Sequence, residues 1–148
     1  MKAQKVIGPE QQLLIKQAVA DAEGHTSGEI RVFVEDHSAD EPLDRAAFLF
    51  EELEMQKTEL RNGILFYIAI KDHSYAVIGD AGIHEKVGDE FWEDIRNEMK
   101  EYFVNGEIAE GIVAGVTHAG QALKEYFPRA SDDINELPDD IIFGKGDQ

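Results

Sequence analysis

One apolar segment in the middle of the chain limits the possible folds more than any other. It reads Gly63-Ile-Leu-Phe-Tyr-Ile-Ala-Ile70 and is apolar at odd and even positions alike. Because neighbouring side chains of a strand point to opposite faces, such a segment has to be covered on both sides, which is typical of a central strand in an α/β sheet. It is far shorter than the ~20 residues of a membrane-spanning helix. The segment predicts a central, doubly covered strand and no membrane insertion.

The flanking sequence alternates between helical and strand-like patterns. Apolar residues recur at helical spacing in residues 9–23 and 43–55, from Asp89 to a stop at Asn105-Gly106, and in residues 107–127. Residues 29–35 and 75–79 resemble strands, whereas residues 80–88 are predicted to form a loop. This order predicts an α/β fold, a three-layer αβα sandwich with a mixed sheet of about four strands.

The connections between the strands predict which residues share an end of the sheet. The long segment between the first two strands leaves room for a crossover helix, so these strands are expected to be parallel. The tight turn at residues 71–74 makes the third strand antiparallel to the second. Glu29, Arg61 and Asp80 are therefore expected at one end of the sheet. The other end collects Glu35, Asp36, Lys71 and Asp72.

The charge of the chain excludes some partners and favours others. The 148 residues include 31 acidic and 14 basic side chains, a formal net charge of −17. Phosphate contacts need a basic face, so we expect no nucleic-acid binding and no docking on anionic lipid. Divalent cations or a basic partner suit such a surface better.

The chain contains no cysteine, so disulfides and thiolate metal sites are excluded. Residues 1–10 lack the pattern of a secretory signal, which predicts a cytoplasmic protein.

The composition changes near the C-terminus. From Arg129 onward, acidic residues surround a single apolar trio, Ile141-Ile142-Phe143. We interpret residues 1–128 as the folded domain and residues 129–148 as an acidic tail. The apolar trio either adds an edge strand to the sheet or docks on the core.

The chain resembles the TPM domain family from about Pro9 to Pro128. The resemblance is carried by Thr26-Ser27-Gly28-Glu29-Ile30, Arg61-Asn62-Gly63-Ile64-Leu65, Ile78-Gly79, Gly82-Ile83, Asp89, Phe103-Val104-Asn105-Gly106 and Gly111-Ile112. It implies an αβα sandwich that binds divalent cations near crossing loops at the strand ends. The activity that it implies is contested: a plant thylakoid member has been regarded as an acid phosphatase, and other members as assembly or repair factors for membrane complexes.

Four carboxylates are the candidate metal ligands: Glu29, Asp80, Glu85 and Asp89. Two unpaired carboxylates ~4 Å apart repel by about 4 kcal/mol at an effective dielectric constant of about 20. This repulsion has to be compensated by Arg61, by a shared proton or by a hard cation. Carboxylate oxygens are the ligands that Ca²⁺ and Mg²⁺ prefer. In the alternative interpretation Glu29 pairs with Arg61, Asp89 caps its helix and Asp80 is solvated.

Other kinds of site lack their sequence patterns. Counting from Asp80, an EF-hand loop fails at Gly82, His84 and Phe91. No Gly-x-Ser-x-Gly turn, P-loop or histidine pair at i, i+4 is present. We therefore name no catalytic residue. The expected function is a regulatory or interaction module that binds Ca²⁺ or Mg²⁺ and an unidentified protein partner. The alternative is a metal-dependent phosphatase that acts on phosphomonoesters through a metal-activated water.

Overall fold

The order of elements follows the predicted αβα pattern with one additional helix. A computed structural model describes residues 6–38, 40–129 and 141–144. In chain order the elements are α1 (Pro9–Glu23), β1 (Glu29–Glu35), α2 (Pro42–Glu52), a 3-10 turn (Met55–Lys57), β2 (Gly63–Ala69), β3 (Ser74–Gly79), α3 (Ala81–Val87), α4 (Asp89–Phe103), α5 (Ile108–Tyr126) and β4 (Ile142–Phe143).

The four strands form one mixed sheet in the order β3-β2-β1-β4. Strand β1 runs parallel to β2, with Glu29 opposite Gly63. Strand β3 runs antiparallel to β2, with Gly79 opposite Ile64. These pairings confirm the predicted crossover, the predicted hairpin and the mixed sheet of an αβα sandwich.

Two apolar cores lie on the two faces of the sheet. On one face, β1 and β2 contribute Ile30 and Phe66 to a core that also contains residues of α1, α4 and α5. On the other face, Phe33 and Tyr67 pack with residues of α2 and with Met55 of the 3-10 turn. All seven residues of β2 are buried. The prediction of a central, doubly covered strand is therefore confirmed.

The predicted loop at residues 80–88 is wrong, because residues 81–87 form helix α3. The carboxylate of Asp80 accepts a hydrogen bond from the Ala81 amide at 2.8 Å and caps the helix. In the sequence Gly82 resembles a loop glycine, but in the structure any larger residue at this position would clash with the preceding loop. A Cβ atom there would lie 2.1 Å from the Leu60 carbonyl oxygen. The second helix also ends earlier than predicted, at Glu52, and a 3-10 turn follows it.

The C-terminal apolar trio adds the fourth strand. Phe33 and Val34 of β1 pair in parallel with Ile142 and Phe143. Both alternatives left by the sequence are observed, because Ile141 and Phe143 also pack against one core and Ile142 packs against the other. The remainder of the predicted acidic tail, residues 130–140 and 145–148, lies outside the described residues. Among the helices that the structure describes, none is long and apolar enough to cross a membrane.

Candidate functional site

Two of the predicted ligands share a row across the sheet. Glu29 lies opposite Gly63 in the parallel register. On the other side of that glycine, the Asp80 amide donates to the Gly63 carbonyl at 2.9 Å. Glu29 is 2% exposed and Asp80 is 7% exposed. The register confirms that both carboxylates lie at the same end of the sheet, separated by a residue without a side chain.

Arg61 holds Asp80 through two hydrogen bonds. Its Nε donates to Asp80 Oδ2 at 2.6 Å and its Nη2 donates to Asp80 Oδ1 at 2.8 Å. The first cause of the raised Arg61 pKa is this hydrogen bonding, and the second is the attraction of the Asp80 charge. The guanidinium remains half exposed. The alternative in which Asp80 is solvated therefore differs from the observed geometry.

The main chain of Arg61 also joins this end of the sheet to α3. The amides of Gly82 and Ile83 donate to the Arg61 carbonyl at 2.8 and 3.3 Å. Arg61 itself adopts a left-handed backbone conformation, with φ 54°. The Arg61 side chain therefore binds Asp80, which caps α3. The Arg61 carbonyl accepts hydrogen bonds from two amides in the first turn of the same helix. The loop before β2 and the start of α3 form one hydrogen-bonded corner.

Glu85 and Asp89 do not complete a ligand set with Asp80. Glu85 lies exposed on α3. The Asp89 side chain is almost fully exposed and lies 3.4 Å from His84 Nε2. Within residues 6–38, 40–129 and 141–144, no group of three or more His, Cys, Asp or Glu side chains is placed to hold a metal ion. Because both oxygens of Asp80 already accept hydrogen bonds, the four predicted ligands do not form a ready-made cation site in this conformation.

His84 and Trp92 form a second polar contact beside this corner. Trp92 Nε1 donates to His84 Nδ1 at 2.9 Å, so the neutral imidazole carries its proton on Nε2, which faces Asp89. The indole packs against Gly79, where a Cβ atom would lie 2.3 Å from the ring. Trp92 is buried and belongs to the core on this face of the sheet.

The hydroxyl groups before β1 have structural roles. Thr26 Oγ1 lies 3.0 Å from the Leu123 carbonyl and also contacts the Phe127 carbonyl, at the C-terminal end of α5. Ser27 Oγ accepts a hydrogen bond from the buried Asn62 side chain at 3.3 Å. These contacts explain why a short Thr-Ser-Gly segment marks the entry to the first strand.

At the opposite end of the sheet, Glu35 forms a buried cluster that the sequence did not predict. Its carboxylate accepts hydrogen bonds from Arg45 Nε at 2.9 Å and Nη2 at 3.0 Å, and from the Tyr67 hydroxyl. Burial raises the Tyr67 pKa, and the hydrogen bond to Glu35 raises it further. In the sequence, the sign of this cluster is a basic residue, Arg45, in the first turns of the crossover helix, where it reaches Glu35 at the end of β1.

Two loops also meet at this end, beyond the carboxyl ends of the parallel strands. Asp72 accepts a hydrogen bond from the Ser38 amide at 2.5 Å and contacts His37 Nδ1 at 3.1 Å. The Ser38 amide is the first cause of the lowered Asp72 pKa, and His37 is the second. Asp36, in the same loop as His37, is buried. The sequence placed Asp36 and Asp72 at this end but did not propose them as ligands.

The sequence matches the TPM domain family over residues 1–122. The chain belongs to this family. No curated protein matches the sequence. Among solved structures, this TPM domain is similar to the BA42 protein from the psychrophilic bacterium Bizionia argentinensis, with 42% identity and a TM-score of 0.89 over 97% of this chain and 99% of that chain.

Two more distant structures are similar to this TPM domain in fold alone. The N-terminal domain of the cg2496 protein from Corynebacterium glutamicum has 12% identity and a TM-score of 0.66, over 90% of this chain and 84% of that chain. The N-terminal domain of a protein from P. gingivalis has 20% identity and a TM-score of 0.68, over 82% and 79% of the two chains.

Proposed function

We propose that this TPM domain is a regulatory or interaction module that responds to Ca²⁺ or Mg²⁺. The observation that carries the proposal is the row of Glu29, Gly63 and Asp80, in which two almost fully buried carboxylates from separate segments share one end of the sheet. Oxygen ligands from separate segments suit a hard cation. A cation that binds one arrangement of these segments better than another shifts the population between them, and a partner protein detects the difference.

In this proposal a bound cation has to displace the Arg61 side chain. Asp80 is neutralised by a guanidinium that is half exposed, so a cation and Arg61 compete for the same oxygens. The proposal therefore requires the Arg61 side chain to leave Asp80 while its main chain stays bonded to α3. The net charge of −17 favours the accumulation of cations around the domain.

The opposite end of the sheet offers a second location for the same function. Ligands of open α/β sheets usually bind outside the carboxyl ends of parallel strands. Asp36 and Asp72 lie in the two loops that follow β1 and β2, and these loops contact each other through Asp72. Variants at the two ends of the sheet therefore have to be compared directly.

Thermal unfolding with and without millimolar Ca²⁺ or Mg²⁺ tests the proposal. At ~100 times the dissociation constant, a specific cation adds about 2.7 kcal/mol. For this chain length that corresponds to an increase of roughly 5–11 °C in the melting temperature. A shift of less than a degree in the unmodified protein contradicts the proposal, since a specific site cannot saturate without stabilising the folded state.

Three variants locate the site. Asp80→Asn is expected to abolish the cation-dependent shift, whereas Arg61→Gln is expected to enlarge it because the competing guanidinium is removed. Asp72→Asn at the opposite end is the matched control and is expected to keep the shift. If Asp72→Asn abolishes the shift and Asp80→Asn keeps it, the cation binds at the carboxyl ends of β1 and β2 instead.

The phosphatase alternative gains no support from the hydroxyl groups near the corner, because Thr26 and Ser27 are hydrogen-bonded within the framework. Turnover of a generic phosphomonoester, compared between the unmodified protein and Asp80→Asn, decides between the two functions. Activity that survives repurification and is lost in the variant would favour the enzyme. The cytoplasmic location expected from the sequence remains part of the proposal.

A further inference from the structure

Strand β3 has one edge without a partner strand among the residues that the structure describes. The Asp80 amide donates to Gly63 of β2, and hydrogen-bonding direction alternates along an antiparallel pair. Every second residue of β3 therefore directs its amide and carbonyl away from β2. These residues are Tyr75, Val77 and Gly79. We call this side of β3, with its three outward-facing residues, the open edge.

A groove of about 400 Å³ runs along the open edge. Its apolar lining includes Val77 of β3, Leu43 of α2 and Trp92 of α4. Leu43 is half exposed. An extended segment that adds to a sheet edge gains main-chain hydrogen bonds, and pockets beside the edge receive its alternate side chains. The groove supplies both kinds of contact.

The charges beside the groove define the partner that fits it. Asp89 and Glu93 of α4 line one side, together with the basic Arg96. Acidic residues outnumber basic ones at this edge, as they do in the whole chain, whose net charge is −17. A second copy of the chain would bring the same negative charge to the edge, whereas a basic segment complements it.

We propose that the open edge of β3 binds an extended, basic segment of another protein as a fifth strand of the sheet. The segment pairs with the outward-facing main chain of Tyr75, Val77 and Gly79, rests an apolar side chain in the groove between Leu43 and Trp92, and places basic side chains near Asp89 and Glu93. The inference depends on the interaction role in the proposed function but does not depend on a bound cation.

Amide hydrogen exchange measured by NMR tests this inference in metal-free buffer, so that its outcome is separate from that of the cation experiment. The probe is a peptide of about nine residues that alternates lysine with valine and threonine, since six or more extended residues span a strand of this length. At a peptide concentration about ten times the dissociation constant, exchange at Tyr75, Val77 and Gly79 should slow about tenfold, because only the unbound fraction exchanges. Ala76 and Ile78 should be protected with and without the peptide.

Charge variants show whether the acidic wall contributes. The double variant Asp89→Asn/Glu93→Gln should weaken peptide binding about fivefold, because two exposed charge pairs contribute 0.2–1 kcal/mol each, or roughly a factor of two to thirty together. The matched control Asp21→Asn/Glu125→Gln makes the same change in net charge on exposed positions of α1 and α5. It should leave the affinity within about twofold of the unmodified protein.

Several results would overturn the inference. Binding of the lysine peptide without slower exchange at the three outward amides would indicate attraction to the surface rather than strand addition. Equal binding of a peptide in which glutamate replaces lysine would contradict the assignment of a basic partner. Protection of these amides that rises with protein concentration in the absence of peptide would assign the edge to a second copy of the chain.

Discussion

The outer sides of β1 and β3, the two strands that flank β2, are covered to different degrees. The outer side of β1, which we call the sealed edge, is closed by distant parts of the chain. The Ile30 amide donates to Glu23 Oε2 at 2.6 Å, β4 pairs beside Val34, and the Gly144 amide donates to the Val34 carbonyl at 2.8 Å. The open edge of β3 has no such closure within the described ranges. An edge strand with unpaired main-chain groups is a template for pairing with another chain, so the open edge can accept a strand and the sealed edge cannot.

Charged side chains have opposite roles at the two edges. At the sealed edge, the carboxylates of Glu23 and Glu35 are buried and hydrogen-bonded to the protein. At the open edge, the Asp89 and Glu93 side chains are directed to solvent. Buried carboxylates therefore stabilise the fold at one edge, while exposed carboxylates at the other discourage self-association and favour basic partners. Substitutions at the two edges should separate these roles.

The largest effect is expected for Glu35→Ala beside the sealed edge. Gly144 packs so closely on Glu35 that an added Cβ atom would lie 2.6 Å from the Glu35 Cβ. Removing the carboxylate leaves Arg45 without its bidentate partner and leaves the buried Tyr67 hydroxyl without its acceptor. We expect a loss of about 3 kcal/mol in the free energy of unfolding, measured by urea denaturation.

Asp89→Ala at the open edge is the matched control for this variant. The Asp89 side chain is almost fully exposed, so the change should stay within about 0.5 kcal/mol. Equal losses in the two variants would show that the distinction between the edges does not describe the energetics of the sheet.

A smaller loss is expected for Glu23→Ala. The variant removes the acceptor of the Ile30 amide, and an unsatisfied buried amide costs about 1–3 kcal/mol. Urea denaturation should show a loss of about 2 kcal/mol, with faster hydrogen exchange at Ile30. The open-edge control Glu93→Ala should be neutral by both measurements. Unchanged exchange at Ile30 in Glu23→Ala would show that another group, rather than Glu23, protects this amide.

The smallest effect concerns the alkaline limit of stability. Tyr67 keeps its proton at pH values where an unfolded tyrosine, with a pKa near 10, loses it. The unfolded state then binds fewer protons than the folded state, so stability falls as the pH rises from about 10 through the raised pKa of Tyr67. Tyr67→Phe should cost about 1 kcal/mol at neutral pH, through the lost hydrogen bond to Glu35, and should flatten the alkaline decline.

Urea denaturation at pH 8 and at about pH 11 measures this difference. Tyr75→Phe is the control beside the open edge, where burial also raises the tyrosine pKa. This variant keeps Tyr67, so the part of the decline that Tyr67 causes should persist. A decline that disappears in Tyr75→Phe and persists in Tyr67→Phe would contradict the assignment.

Features with a local pattern were predictable from the sequence. The first helix and first strand have the predicted bounds, because apolar spacing within one element fixes them. Helix α3 was missed, because the glycines at 79 and 82 resemble loop residues. In the folded chain Gly79 accommodates the Trp92 ring and Gly82 accommodates the Leu60 carbonyl. Neither requirement is visible without the neighbouring segments.

The candidate site was predictable as a neighbourhood but not as a set of contacts. Strand directions and connection lengths placed Glu29, Arg61 and Asp80 at the same end of the sheet. One interpretation of the sequence paired Arg61 with Glu29 and left Asp80 in solvent. In the structure Arg61 binds Asp80, and Asp80 is buried. Glu29 and Asp80 flank the same glycine. The direction of the Arg61 side chain follows from its left-handed backbone and its bonds to α3, which only the folded chain defines.

By itself, the sequence determined the covered central strand, the parallel crossover and the acidic surface, because side-chain periodicity, connection length and charge are properties of short segments or of composition. Only the tertiary structure decided which side of the sheet is covered and which side is left open. Thr26 meets the Leu123 carbonyl across 97 positions of the chain, and Gly144 reaches Val34. Contacts between such distant residues depend on how whole elements pack, so they determine which edge of the sheet is closed and which remains available to a partner.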